Sequence, residues 1–458
     1  MLLQRGLQNY IYLYTMKFFG RERLLKTLVE TRKLSEKMGR MTVVTGRRRI
    51  GKTRLILESM KGERFVYLFV TRKEERLLCS DFMRQIREVF DPSVYGEVIA
   101  FRDVFQLLID ISKQQHVNLV IDEFQEFARI NATVFSEVQR IWDWNKDDIK
   151  MNLIFSGSVH SMMTKIFTNY REPLFGRANV RFLVGPFSVQ TIKEVMQQFA
   201  PHYTAEDVYI LYLITGGVPM YVEHFVDQRA LTKEAMLDEV FHPQSFFLEE
   251  GRFLLIQEFG KEYTTYFSIL SLIAAGKTSR PEIESVLQKP TGGYLTRLEQ
   301  EYQLIKRRRP MFTKPGTQNI RYLIEDNFLR FWFRFVFRYE DLIESQNFSR
   351  LRSLVERDLS TYGGHILEKM IRQQLAETQQ FSAIGQYWQR NGENEIDVIA
   401  LNDLDHTAIV GEVKLQAGKV DLGKLRRKAE AIEKHLSDYT VDYRGFSLDD
   451  VLDADPLE

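Results

Sequence analysis

Gly46 and Gly51 bracket Arg47, Arg48, Arg49 and Ile50, and Lys52, Thr53 and Arg54 follow at once. Glycines at that spacing allow a tight loop whose backbone N–H groups curl around phosphate oxygens. The β-branched run from Met41 to Thr45 leads into the loop. Residues 54–60 read as a helix whose positive end points at the same anion. Lys52 is spaced to reach the β- and γ-phosphates of a nucleotide, and the Thr53 hydroxyl to ligate Mg²⁺. The predicted chemistry is phosphate binding, with residues 46–54 as the cradle.

A second group of reactive side chains ends the run Val117 to Phe124. Apolar β-type residues give way there to Asp122 and Glu123. Two carboxylates are costly to bury unless they face a site at the carboxyl edge of a parallel strand. A phosphate-binding loop occupies that same edge in an open α/β sheet. Asp122 would hold Mg²⁺, mostly through water, and Glu123 would orient and deprotonate an attacking water. Residues 65–70 read as a strand intervening between the loop strand and the acidic strand. That strand and the Asp-Glu order both point to the additional-strand class of P-loop ATPases, which use a glutamate base.

The elements that position these groups follow from periodicity. Leu24, Leu25 and Leu28 lie on one face of a helix before the loop, residues 73–90 and 101–112 read as helices, and 151–158 as a buried strand. That strand ends in Ser156 and Ser158, each either a contact to the γ-phosphate or water, or a turn serine. Phe19-Gly20-Arg21-Glu22 either lies against an adenine or caps the sheet edge. Arg177, before a strand at 180–184, either stabilises charge on a transferred phosphoryl group or is a surface arginine. In Thr215-Gly216-Gly217-Val218-Pro219, two glycines and a proline mark a deliberate break between two helices.

These motifs occur in a fixed order: Phe19 to Glu22, Gly46 to Thr53, Val120 to Glu123, Phe155 to Ser158, Pro173 to Arg177 and Gly216 to Pro219. In that order, over residues 17–240, the chain resembles the archaeal-type ATPase family, related to AAA+ and to the STAND signal-transduction ATPases. The resemblance implies ATP and Mg²⁺ as cofactors, with Lys52, Thr53, Asp122 and Glu123 in the family's roles. It also favours Arg177 as a nucleotide-sensing arginine, and Phe19 and Arg21 remain the candidate nucleotide contacts upstream of the loop.

Downstream the pattern changes. Residues 267–275, a segment opening at Arg280-Pro281 and a third opening at Thr291 read as short helices. Leu304 to Pro310 and Ile320 to Ile324 read as a hairpin, completing a winged helix. Its third helix could enter a DNA groove with Lys306 to Arg309 as a basic wing, or its surface could bind protein. The aromatic run Phe328 to Phe335 reads as core rather than a base-stacking platform. Near the end, Asn391-Gly392 separates two β-type runs, a hairpin signal. A further strand places Glu412, Lys414 and Gln416 on one face. If it pairs beside the Asp397 strand, two acids and an ammonium converge, and Mg²⁺ would neutralise them. Asp397, Glu412 and Lys414, with Glu368 on a helix over 364–375, resemble the PD-(D/E)xK nuclease fold. The alternative is an ordinary salt-bridged sheet face. Lys424 to Lys428 is a basic helix face for a phosphate backbone, or a solvated one.

The 458 residues exceed one core, and 44% hydrophobic with 27% charged residues describes a globular chain. A net charge of +1 argues against a bulk polyanion binder. The single cysteine, Cys79, excludes a disulfide framework and Cys-based zinc sites, which fits a cytoplasmic protein. No apolar run has the length of a membrane span. The expected fold class is α/β: a P-loop ATPase with a parallel sheet, then a helical lid, a winged helix and a restriction-endonuclease-like α/β domain. The expected boundaries are a leader or mis-assigned start at 1–15, ATPase core at 16–190, lid at 191–260, winged helix at 261–340 and nuclease-like domain at 341–458. ATP is the expected ligand. DNA, a protein partner or a second copy of the chain are the expected macromolecular partners. The competing reading is a STAND-like signalling ATPase with a non-catalytic C-terminal binding domain.

Overall fold

Alternation of apolar strands and amphipathic helices up to Gly185 builds one parallel sheet. Its strands are β1 (Arg40–Thr45), β2 (Val66–Phe69), β3 (Val117–Asp122), β4 (Met151–Gly157) and β5 (Val180–Leu183). Their order is β2-β3-β4-β1-β5, and every neighbouring pair is parallel. This computed structural model describes residues 18–92, 96–158, 160–314, 316, 319–389 and 394–453. The expected leader and the Asn391-Gly392 turn lie outside them.

Every residue of β3 and β4 is buried, as continuous apolar runs require in a sheet covered on both faces. The helix Glu75–Phe90 buries Leu78, Phe82, Ile86 and Val89, one stripe at helical spacing. Under the acidic strand end, Phe124 packs 4.1 Å from Phe155 and 5.4 Å from Phe135, centroid to centroid. A strand does intervene between β1 and β3, but in space it is β4. The segment read for that role, β2, lies at the sheet edge beyond β3, because chain order does not dictate sheet order.

The chain divides into two compact units between Gly185 and Pro186. Residues 186–190, expected with the sheet, belong to the second unit. There Phe187 N–H bonds the Gly217 carbonyl at 2.7 Å, and Ser188 caps the helix Val189–Phe199. The expected break is present between the helices Ala205–Thr215 and Pro219–Asp227. Gly216 and Gly217 both take positive φ (60° and 75°), and a Cβ on Gly217 would stand 2.6 Å from the Phe187 carbonyl oxygen.

Three helices, Tyr263–Ala274, Arg280–Leu287 and Gly292–Gln300, precede an antiparallel hairpin of β6 (Ile305–Arg308) and β7 (Arg321–Ile324). Two of the four basic residues are paired within the unit, while Lys306 and Arg309 are exposed. Arg307 pairs with Glu299 at 2.5 Å and Arg308 with Glu325 at 3.5 Å. The start of the loop after β6 packs on later elements: Met311 N–H bonds the carbonyl of Gln386 on a strand at 2.9 Å, and Phe312 stacks on His435 of the short helix Glu433–Leu436. The aromatic run is core, with Phe328, Phe331, Trp332, Phe333 and Phe335 all buried.

The helix expected over 364–375 spans Phe348–Glu377. It precedes a four-stranded sheet, β8 (Ala383–Tyr387), β9 (Ile396–Asn402), β10 (Thr407–Val413) and β11 (Thr440–Phe446), in the order β11-β10-β9-β8. Strands β8, β9 and β10 pair antiparallel, while β11 runs parallel to β10. The long helix is fastened to Ala205–Thr215, where Tyr212 Oη donates to Gln373 Oε1 at 2.7 Å. A Cβ on Gly363 would overlap the Tyr209 hydroxyl, which itself is buried without a hydrogen-bond partner among the described residues. Gly363→Ala should therefore destabilise the protein by about 1–3 kcal/mol through overpacking, and Tyr209→Phe should recover much of that loss in thermal or urea unfolding.

Candidate active site

The loop after β1 closes through conformations its sequence permits. Gly46 has φ 152°, and a Cβ there would stand 2.5 Å from the Val184 carbonyl oxygen. Gly51, at φ 84°, opens the helix Lys52–Ser59. Arg47, Arg48, Arg49, Thr53 and Arg54 are half-buried around this turn, while Ile50 and Lys52 are buried. Lys52 Nζ donates to the carbonyls of Gly46 (2.8 Å) and Arg47 (3.0 Å), so its ammonium sits in the mouth of its own loop.

The parallel register of β1, β4 and β3 brings the other groups to the same edge. Asp122 Oδ2 accepts from the Thr53 hydroxyl at 3.4 Å and from the Tyr67 hydroxyl, and Oδ1 accepts the Glu123 N–H at 2.9 Å. Tyr67 reaches it because β2 aligns Tyr67 with Val120 and Phe69 with Asp122. Glu123 is left-handed (φ 53°). Its Oε2 accepts from Ser158 Oγ at 2.9 Å, from Ser158 N–H at 3.4 Å and from Gln125 Nε2. Ser156, the other candidate, is fully buried and its hydroxyl has no partner among the described residues.

Arg21 lies at the same edge. Its guanidinium donates to the Gly185 carbonyl, and burial lowers its pKa to about 10, leaving it charged at neutral pH. Phe19 is half-buried two residues earlier. Arg177 is elsewhere. Asn179 N–H bonds the Met41 carbonyl at the amino end of β1, and Arg177 pairs with Asp143 at 3.1 Å. It lines a cavity of about 480 Å³ with Gly39, Arg40 and Trp142. Because β5 runs parallel to β1, the segment entering β5 lies at the edge opposite the loop, about 20 Å away for a six-residue strand. Arg177 is thus not brought to Lys52, Asp122 and Glu123 of its own chain.

A second cluster forms where β9 and β10 pair. The register sets Gly411 against Val398, so Glu412 and Asp397 are neighbours. Glu412 Oε1 lies 3.3 Å from Lys414 Nζ and 3.2 Å from Lys428 Nζ, and Oε2 accepts the Asp421 N–H at 3.2 Å. Burial alone would raise the Glu412 pKa, but that N–H and the two ammonium groups hold it below the usual value. Asp397 Oδ2 accepts the Val413 N–H at 2.9 Å, yet burial and the charge of Glu368 push its pKa up to about 6. Glu368 is kept low against burial by His365, 3.1 Å away, and by Arg372 and Arg330. Arg372 also donates to the Asp397 carbonyl. The acids do converge, but the neutralisers present are cationic side chains of the chain itself. Among the described residues no group of three or more His, Cys, Asp or Glu side chains forms a metal cage.

Residues 18–225 match a family described as an ATPase domain predominantly from Archaea, and residues 332–434 a family of archaeal and bacterial proteins of unknown function. An uncharacterized protein of Methanocaldococcus jannaschii is 33% identical over 408 residues, 87% of each chain. The chain belongs to the archaeal-type ATPase family. Among solved structures, the Walker-type ATPase of Pyrococcus abyssi is similar in fold, with TM-score 0.53, 18% identity and coverage of 69% of this chain and 96% of that one. This archaeal-type ATPase is a P-loop ATPase that binds ATP. No helix among its described residues is long and apolar enough to cross a membrane.

Sequence reasoning missed Tyr67, Gln125, Arg372 and Lys428. Arg372 carried a signal, lying one helical turn after Glu368. Lys428 was read as part of an outward basic face, but turns inward. Tyr67 carried none, since only strand register places it.

A carboxyl group with a raised pKa holds its proton more tightly in the folded state. Asp397 therefore adds stability below about pH 4, and that contribution is lost as pH rises from the ordinary 3.8 through about 6. In metal-free buffer, Asp397→Asn should raise the melting temperature relative to wild type more at pH 8 than at pH 4.

Proposed function

We propose that this archaeal-type ATPase is a Mg²⁺-dependent nucleotide switch whose ATP hydrolysis gates a DNA-acting, nuclease-like site in its C-terminal domain. The observation that carries the ATPase half is the meeting of Thr53 and Asp122 beside Glu123, at the mouth that Lys52 occupies. Thr53 and Asp122 are oxygen ligands suited to a hard cation, and Mg²⁺ bound there would neutralise phosphate charge. Lys52 leaves its loop carbonyls for the β- and γ-phosphates. Glu123 takes a proton from water as the water oxygen bonds to the γ-phosphorus. The bond to the bridging oxygen breaks, and ADP leaves with its electron pair.

Support for the nuclease half is the neighbouring placement of Asp397, Glu412 and Lys414, with Glu368 on the helix behind them. Gating has a physical route inside the second unit. Asn327 lies against Gly216 and donates to the Tyr212 carbonyl at 3.2 Å, and Tyr212 bonds Gln373 of the helix that carries Glu368 and Arg372. Three helices and a hairpin support a winged helix at 263–324. Arg307, Arg308 and the hairpin loop are engaged intramolecularly, which lowers the positive charge the wing can offer to DNA.

A second reading, a STAND-like regulatory ATPase with a non-catalytic C-terminal binding domain, is favoured by one observation. Glu412 is already neutralised by Lys414 and Lys428. Cleavage of supercoiled and linear DNA, with Mg²⁺ or Mn²⁺ and with or without ATP, separates the two. Metal-dependent cutting that is lost in Asp397→Ala and altered in Lys52→Ala is the expected result. ATP turnover without cutting under any of these conditions would overturn the nuclease half and leave the second reading.

A further inference from the structure

Gln125 follows Glu123 on a short 3₁₀ turn and is fully buried. Its side chain does not make the bonds that burial normally demands. Nε2 donates to Glu123 Oε2, but Oε1 has no hydrogen-bond partner among the described residues. A buried amide left half satisfied costs stability, and such a group in a folded protein calls for a reason. An apolar residue of the same length would fill the slot without that cost.

The slot is nonetheless shaped around the amide. A Cβ on Gly157, at the end of β4, would overlap Gln125 Oε1 and stand 2.6 Å from Met163 Cγ. Glycine there keeps the amide in place. What the amide touches is Glu123, whose backbone is itself in the left-handed region that side chains avoid. Ser158 adds its hydroxyl and its N–H to the same oxygen. Three donors therefore converge on Oε2, and among the described residues none bonds Oε1.

We propose that Gln125, together with Ser158, is a positioning residue for ATP hydrolysis: the buried amide clamps Glu123 Oε2 and so leaves Oε1 as the oxygen that takes the proton from the attacking water. The balance is that of the hydrolysis above, with the proton ending on Oε1 and the electron pair leaving on ADP. This rests on the reading of Glu123 as general base. Stability is given up at Gln125 for orientation at Glu123, which gives the test its sign.

Gln125→Met should lower kcat about 10- to 100-fold, the scale expected for a misplaced catalytic group. KM and affinity for a fluorescent ATP analogue should stay near wild type, and the melting temperature should be equal or higher. Ser158→Ala, which removes a donor without touching the buried slot, should give the same kcat-only loss and keeps the test decisive if Gln125→Met does not fold. In a Glu123→Gln background, followed by single-turnover kinetics, Gln125→Met should change nothing further. An unchanged kcat, a kcat loss matched by lost ATP affinity and melting temperature, or a further drop in the Glu123→Gln background would each overturn the inference. If Glu123→Gln itself turns over at the wild-type rate, the general-base reading fails and takes this inference with it. If Glu123→Gln is inactive while Gln125→Met and Ser158→Ala match wild type, only the inference fails.

Discussion

A fully buried strand that ends in two adjacent carboxylates sets the terms for the first unit. β3 has no exposed residue, so Asp122 and Glu123 emerge from the apolar centre of the sheet and must find donors within a few ångströms. They find them on every neighbouring element: Thr53 after β1, Tyr67 on β2, Ser158 after β4 and Gln125 on the turn that follows. These donors are all neutral. They orient the carboxylates without cancelling their charge, which suits a site meant to hold a cation and accept a proton. Parallel pairing makes this possible, because it delivers the carboxyl ends of β1, β3 and β4 to one edge.

The second unit meets the same problem differently. Glu412 on β10 is 4% exposed, and Asp397 lies on the strand beside it. Here the partners include charges: Lys414 and Lys428 on Glu412, and Arg372 on Glu368 beside the His365 imidazole. Antiparallel pairing set Asp397 beside Glu412, and the long helix Phe348–Glu377 brought the cations to the acid behind them. The same helix packs on the helix before the Gly216-Gly217 break through Tyr209 and Tyr212, and its Lys369 bonds Asn327, which lies against Gly216.

The phosphate loop, the acidic strand end and the helical break were legible because each is a local device. Gly46, Gly51, Gly216 and Gly217 are read from backbone geometry, and Asp122-Glu123 from the cost of ending a buried strand in charge. The three short helices and the hairpin were legible from periodicity and from Pro281 in a first helical turn. Arg177 shows the limit. The sequence puts it before β5 but does not say which way β5 runs beside β1, and the parallel direction of that strand puts it opposite the loop. Arg307 and Arg308 show it again, since a basic run in the sequence does not reveal that Glu299 and Glu325 meet it.

What the sequence by itself determined is the chemistry of single segments: a loop that cradles phosphate, a strand that ends in acids, and β-type runs that carry Asp397 and Glu412. Those follow from interactions within a few residues, which spacing encodes directly. The tertiary structure alone decided which segments share an edge. It put β4 rather than β2 between the loop and the acids, Tyr67 and Gln125 on the carboxylates, Lys428 on Glu412, and Arg177 away from the loop. Strand order, register and burial are set by packing across the whole sheet. No spacing along the chain records that sum.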